Sequence, residues 1–581
     1  MNRIFLISLC LFFFNCSKND SPGGQQTRVD QNGQKIVPGG TLVAGIISEP
    51  DVLNPLIALS RTAQNVLAVL YRQLGKLNAD MVSYSPELAK AWFFSEDSLT
   101  ITFRLRTDVF WHDSTLFTAK DVLFTHALQT NPTVGWVGIS LKQNISAVEA
   151  PNDSTVIFRF TKRTPTMLTE AIEGYIVPQH ILGKQDPAEI PNSSFNRQPV
   201  GTGPFKFKDW TSQQTLLLER FEAYYEPGKP YLDRIIFKVV SDNINLWLQV
   251  KSGDVDFMEG VPARDFNNLV SDWEAGNGLV RPLRYPGRQY DFIGWNLIDY
   301  ENYSATNKAA GKNQPEIGEM LVPNALFGSQ KVRAALTMAL DRTALVELVT
   351  QGLANQMDGP IPPIFWAYNQ TANRIWLYDP DLAKQYLKEA GWEDSDGDGI
   401  LDKAGQPFRF EMLSNSGNKR REQSLTIIQE QLSKIGVAMQ PRMVEPSLLF
   451  GRLLPTRDFD AVLIGWNASS NLELAPIFHS SNFFTPFCFT SFYSADFDRW
   501  EVSARSLLDQ SKAQLMWDKV ANLLSTELPY TWLYYRDDAS ALNSRFKGAI
   551  FDKRGAYINL EDWWIPLEER TQADRLTVGN N

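Results

Sequence analysis

Cysteine and histidine are scarce in this chain. Its 581 residues include only 3 cysteines and 4 histidines. Cys10 lies inside an N-terminal apolar run and Cys16 ends it, which leaves Cys488 alone for the folded body. That count argues against a structural disulfide, and there is no CxxC metal pattern. His112, His126, His180 and His479 are far apart, with no HExxH or HxH spacing, so each reads as a structural histidine. Long apolar runs are missing too. The longest, Ile4–Phe14, is too short to span a bilayer comfortably. No run of Lys and Arg is longer than three residues, and the net charge is −10, which argues against nucleic acid as a partner. The GxSxG elbow, the GxxxxGK[ST] phosphate loop and a GxGxxG after a strand are all absent. Scattered carboxylates still leave a glycosidase pair open.

What is present suits a large soluble protein. Hydrophobic residues make up 43% and charged ones 21%, an ordinary balance. A chain this long exceeds one hydrophobic core, so two or three domains are expected. The 16 Trp, 18 Tyr and 35 Phe are core fillers first, but also fit an aromatic-lined cleft.

The N-terminus reads as an address. Met1–Arg3 is positively charged, Ile4–Phe14 is apolar, and Asn15-Cys16-Ser17-Lys18 follows. This is the layout of a signal peptide over residues 1–15, with Cys16 placed as a lipoprotein's acylated first residue. Asn15 departs from the usual small residue before such a cysteine. Residues 16–40 are rich in Ser, Gly, Gln and Asn and read as a flexible linker. Acyl chains on Cys16 would hold a soluble body at a membrane surface.

The body starts near Thr41. Glu96–Arg106 and Asn152–Phe160 both alternate apolar and polar residues, as half-buried strands do. Between them Val109–Leu128 turns into a helix, with Thr118 as N-cap and Asp121 at N3. Further helices are expected from Ser329, from Asp379-Pro380 to Gly391, and from Gln423 to Gly436. The first would run through Gly328–Val349. Strands Phe408–Leu413 and Phe459–Ile464 alternate with these helices, which indicates an α/β lobe. Tyr290–Leu297 and Glu527–Tyr535 are also strand-like.

The sharpest series begins at PVGTGPFKFKDW (Pro199–Trp210). LLLERF (Leu216–Phe221), YYEPGKPYLDRIIFKVV (Tyr224–Val240) and LQVKSGDVDF (Leu248–Phe257) follow in order. As an ordered set these segments closely resemble the bacterial extracellular solute-binding proteins, family 5: the oligopeptide-, dipeptide- and nickel-binding receptors of ABC importers. The resemblance covers roughly Thr41 to Phe551. It implies a two-lobed α/β fold of the periplasmic-binding-protein type, with a hinge and an accessory subdomain. Lobe I would span residues 41–284, with the accessory subdomain at about 61–175. Lobe II would span 285–530, and 531–581 would return to lobe I. Two hinge crossings are implied, near Arg284–Tyr290 and Tyr530–Arg536. The implied protein is a monomeric receptor rather than an enzyme. It needs no cofactor, takes a peptide or other small organic solute, and serves an importer permease from the periplasm-facing side of a membrane. A secreted hydrolase of oligomers and a lipoprotein sensor remain the rival classes.

Candidate ligand residues follow from the same resemblance. Gly465-Trp466 and the loop after it line the family's cleft. Peptide-binding members carry an Asp a few residues after that Trp, where this chain has Asn467, Ala468, Ser469 and Ser470. Glu473 is the nearest acid. Trp466, Asn467, Ser469 and Glu473 are therefore candidates, with Tyr290 by the first crossing and Phe365 and Trp366 in a proline-stiffened loop. Ser60 and Arg61 lie in a region that faces ligand in the family. Separately, DSDGDGILD places Asp394, Asp396, Asp398 and Asp402 at positions 1, 3, 5 and 9 of an EF-hand-like loop, with Gly405 where a bidentate Glu would stand. It reads either as a weak structural calcium site or as a solvated acidic hairpin.

Overall fold

The computed structural model describes residues 28–29, 33–300, 302, 305, 322–468 and 472–575. Cys16, Ser469 and Ser470 lie outside the described residues. No helix among those described is long and apolar enough to cross a membrane.

The Gly201-Thr202-Gly203-Pro204 turn shows why its glycines are needed. A Cβ on Gly201 would stand 1.9 Å from the Leu70 carbonyl oxygen, and one on Gly203 would stand 2.3 Å from that of Val69. The turn thus lies against the C-terminus of helix Arg61–Leu70, and the Gly203 N–H bonds the Leu70 carbonyl at 2.9 Å. Strands Phe205–Thr211, Thr215–Arg220 and Arg234–Val239 follow as an antiparallel meander. Alternation places Leu216, Leu218, Ile235 and Phe237 in the core. Thr41–Ile46 pairs parallel with Arg234–Val239 and with Phe257–Glu259.

Two long strands join this half of the molecule to the other. Val280–Trp295 and Tyr530–Asn543 run antiparallel, bonded to each other along most of their length. At one end Ser540–Leu542 pairs with Phe257–Glu259. At the other, Gln289–Trp295 pairs with Ala461–Asn467. Beyond that strand come Arg409–Asn415 and Ala438–Val444, both parallel, so one sheet runs through both halves. The ribbon's register slips between Pro286 and Tyr290.

Separate apolar cores sit on either side of that slip. One gathers Leu42, Leu67, Ile235 and Phe257 with Trp563 and Ile565 from the chain's end. The other gathers Phe292, Trp295, Leu336, Ile428, Val462 and Trp532. A third core fills a four-stranded antiparallel sheet, Ala89–Phe94, Thr100–Leu105, Thr155–Phe160 and Ile145–Asn152. The two similar segments are direct neighbours there, Ile101 opposite Phe158 and Phe103 opposite Val156. Helix Ala119–Gln129 opens with a complete capping box of Thr118 and Asp121.

Three expectations need correction. The ribbon strand starts at Val280, ten residues before the strand read from the sequence. Over Val280–Pro286 it has a partner on one side only, and such an edge accepts Pro282 and Pro286. The helix read from Ser329 is two helices, Gln330–Met338 and Arg342–Thr350. Ser329 makes no side-chain cap, whereas Asp341 accepts the Ala344 N–H at 2.9 Å and starts the second. The end of the linker is not free either. Gly39 N–H bonds the Tyr231 carbonyl at 2.7 Å, and the Arg570 guanidinium reaches the carbonyls of Val37 and Pro38.

Candidate functional site

Cross-strand pairing sets Tyr290 of the ribbon directly opposite Trp466. Trp466 ends a buried apolar strand, so its ring emerges where the sheet stops. Its indole N–H donates to the Tyr530 hydroxyl at 3.2 Å, which fixes the ring. Phe292 lies 6.1 Å from it in a stacked arrangement and Phe487 stands edge-on at 5.8 Å. In front of these rings lies a cavity of about 230 Å³. Its other walls are Phe365, Pro360 and Pro362 from one loop, and Leu472, Leu474, Pro476 and Ile477 from another. Asn467 and Glu473 supply its polar side chains. Such a space takes an apolar or aromatic group and excludes water from it.

Glu473 is not free. Arg505 holds it at 3.1 Å, and the Arg505 Nε lies 2.7 Å from Glu501. Glu501 is fully buried, and burial pushes its pKa up against the pull of Arg505. Two carboxylates thus share one guanidinium at the cavity's edge.

Of the sequence-predicted residues, Tyr290, Phe365, Trp466, Asn467 and Glu473 come together here. Trp366 does not join them. It is half-buried and packs on the core. Ser60 is a helix N-cap, accepting the Ala63 N–H at 3.1 Å and donating to Asp51 at 2.7 Å. Arg61 is bonded to Glu259 at 2.8 Å and Asp538 at 2.9 Å, so its charge is already matched. In the acidic loop, carboxylate oxygens of Asp394, Asp396 and Asp398 lie within 4.8 Å of one another. Asp402 is not with them: it accepts the Ser395 N–H at 2.9 Å and the Ser395 hydroxyl. Arg409 stands 3.4 Å from Asp398 and offsets part of the loop's charge.

The sequence reading missed the charged groups of the ribbon. Asp291 is buried and held by Arg420 at 2.9 Å and Arg421 at 2.8 Å, with the Tyr534 hydroxyl donating at 3.0 Å. Burial would raise its pKa, but Arg421 and Arg420 outweigh burial and hold it at about 2. Both arginines belong to the first turn of helix Lys419–Ser433. Arg288 stands in the register slip, and Lys553 approaches it from the C-terminal segment. A lone Arg in a strand gives no sequence signal. Here the only pointer was its place beside the expected crossing.

Comparisons with known proteins bear on this arrangement. The sequence model "Bacterial extracellular solute-binding proteins, family 5 Middle" matches residues 83–483. The oligopeptide-binding protein AppA of Bacillus subtilis is 31% identical over 570 residues, which is 96% of this chain and 97% of AppA. Its structure in complex with a nonapeptide superposes with a TM-score of 0.72, covering 91% of this chain and all of that one. Heme-binding protein A of Haemophilus influenzae is 24% identical over 543 residues, 90% of this chain and 91% of the relative. NikZ of Campylobacter jejuni, solved with Ni(L-His), shares the fold at TM-score 0.72 and 24% identity, covering 91% and 100% of the two chains.

Proposed function

The chain belongs to the bacterial extracellular solute-binding proteins, family 5, the receptors of ABC importers, and we propose that its solute is a peptide whose apolar side chain enters the Trp466 cavity. The observation that carries this is where the cavity lies. It opens beside Tyr290, next to the register slip at which the ribbon passes from one core to the other. Closing two lobes about such a ribbon would bury the solute, and only the closed form would suit the permease.

The same reading divides the chain near Arg284 and Tyr530, with 41–284 and 531–581 as one lobe and 285–530 as the other. It assigns the protein binding without turnover. It makes Cys16 the lipid anchor of a monomer that works on the periplasm-facing side of a membrane. Glu473, the acid nearest Trp466 in sequence, is engaged by Arg505 and is not offered to the solute's amino terminus. N-acetylated and free peptides are expected to bind alike.

Calorimetry and intrinsic fluorescence test this with peptides of two to nine residues. One-to-one binding that leaves the peptide intact supports the reading. Hydrolysis of the peptide, or preference for oligosaccharides over every peptide, overturns it.

A further inference from the structure

We infer that a second cavity, at the opposite end of strand Ala461–Asn467 from Trp466, binds a small aliphatic di- or polyamine. It is a separate site from the Trp466 cavity. It does not rest on the peptide reading and can fail without it.

The strand joins the two cavities. Trp466 stands near its end, while Asp458, Phe459 and Asp460 lead into its start. A rise of about 3.3 Å per residue puts Asp460 about 20 Å from Trp466. The second cavity is the larger, about 480 Å³. Its wall carries the carboxylates Asp299, Glu411, Asp458 and Asp460. Glu411 is matched by Arg442 at 2.9 Å. Asp299 accepts the Asn302 N–H at 2.9 Å, and Asp460 accepts the Glu411 N–H at 3.0 Å. Among the described residues no Lys, Arg or His nitrogen comes within 4.0 Å of Asp299, Asp458 or Asp460. Arg457 belongs to the same wall, but its guanidinium donates to the carbonyls of Pro455, Phe483 and Cys488. Burial, with Glu411 and Asp458 nearby, pushes the Asp460 pKa up against the pull of that N–H.

Asn296 points the same way on independent grounds. It lines the cavity and is only 5% exposed. Its Nδ2 donates to the carbonyls of Arg457 at 3.1 Å and Phe459 at 2.9 Å, which turns Oδ1 away from them. That oxygen is buried and accepts no hydrogen bond among the described residues. A buried acceptor without a donor is costly, and so are crowded carboxylates without a counter-charge. An ammonium group answers both, since it brings positive charge and three N–H donors. A bare metal ion fits less well. Among the described residues only Asp394, Asp396 and Asp398 bring three acids' ligand oxygens within 4.8 Å of one another. Acids spread around a wall suit a cation whose charges are spread along a chain. The methylenes between its nitrogens would lie along Leu326, Leu413 and Phe459 of the same wall.

The test is calorimetry of the full chain with putrescine and spermidine at neutral pH and constant ionic strength, so that general screening is the same throughout. Tetramethylammonium, a cation without N–H donors, and magnesium, a bare ion, are the controls. Spermidine should bind one to one and tighter than putrescine, and both should bind tighter than either control. Asp299→Asn and Asp458→Asn should each weaken spermidine, and together by about tenfold or more, the loss of charge-assisted bonds. Thermal melts without amine check that the variants fold, and their affinity for peptides should stay at the parent's value. Glu473→Gln, in the other cavity, should leave spermidine binding in place. Amine binding lost in Glu473→Gln but kept in the Asp299 and Asp458 variants would put the amine beside Trp466 and overturn this inference. Absence of saturable binding at millimolar amine, or equal binding of tetramethylammonium or magnesium, would overturn it too and leave the receptor standing.

Discussion

The His112 imidazole accepts the Gly201 N–H on Nδ1 at 3.0 Å, while its Nε2 lies 3.1 Å from the Gly203 carbonyl. One nitrogen must accept and the other must donate, so the ring is neutral in one tautomer. Burial pushes its pKa down to about 3, from 6.5.

Acid stability follows from that ring. Between pH 6.5 and about 3 the unfolded chain binds a proton at His112 that the folded chain refuses. Stability therefore rises with pH across this window and is lost as pH falls. The slope from this one group approaches about 1.4 kcal/mol per pH unit at most. His126, lowered by burial to about 4, adds to it in the same direction. Denaturant melts at stepped pH should show the loss, and His112→Gln should flatten it. An unchanged slope in that variant would show that the ring is not what titrates.

Asp291→Ala should be severe. It leaves Arg420 and Arg421 beside an empty carboxylate position, and breaking a buried pair costs about 3–5 kcal/mol. The native Asp291, at about 2 in the fold, contributes stability above pH 3.8 that disappears as pH falls through 2. Urea midpoints at pH 7 for the parent and Asp291→Asn give a gentler second measurement. A loss near zero in both variants would mean the arginines find other partners.

Trp466→Ala should remove the back wall of the cavity. Binding of an aromatic peptide should weaken by about 2 kcal/mol or more, the range for truncating a central aromatic contact. Phe365→Ala should do the same, whereas Trp366→Ala, packed on the core instead, should lower the melting temperature with less effect on affinity. Calorimetry with differential scanning separates the two outcomes. Affinity untouched in both cavity variants would place the solute elsewhere.

Calcium gives a further prediction. Millimolar calcium should raise the melting temperature through Asp394, Asp396 and Asp398, and Asp396→Ala should abolish the rise. Asp402→Ala should leave it in place, since that carboxylate is bonded to Ser395. No rise in the parent would identify the loop as a solvated acidic hairpin.

Cys16→Ala should release the protein from membranes or stop its processing. Fractionation of cells and the mass of the mature protein are the measurements. A variant that fractionates and matures like its parent rules out the anchor.

Much of the fold was legible because its elements obey local rules. Period-two alternation marked Thr100–Leu105 and Thr155–Phe160, and caps marked the helix starts at Thr118 and Asp379. Rules failed where partners decide. Pro282 and Pro286 look like breakers until one side of the strand is known to be open. Ala339-Leu340-Asp341 keeps a helical apolar rhythm, and only the bond from Asp341 to Ala344 shows the break. In the site, Trp466 was legible because a Gly-Trp pair ended an apolar strand. Arg288, Lys553 and Arg505 were not, because a charge's importance depends on which acids surround it in space. Arg61 and Arg288 look alike in sequence, yet Arg61 is ion-paired with two carboxylates while Arg288, among the described residues, is in direct ion pair with none.

The register slip in the ribbon has a mechanical consequence. Val280–Pro286 is bonded to Asp537–Asn543 on one side of it, and Tyr290–Gly294 to Tyr530–Tyr535 on the other. Both ladders are anchored in their own cores, so neither strand can slide past the other. Between the two ladders Gly287, Arg288 and Gln289 have no ladder partner on the Tyr530–Asn543 strand, so bending concentrates there. Gly287 lies so close to the chain opposite that a Cβ would stand 2.5 Å from the Arg536 carbonyl. The joint is thus a clamped leaf spring only three residues long. Its amide protons should exchange at rates that follow solute binding, while those of the flanking ladders stay slow whether the molecule is open or shut.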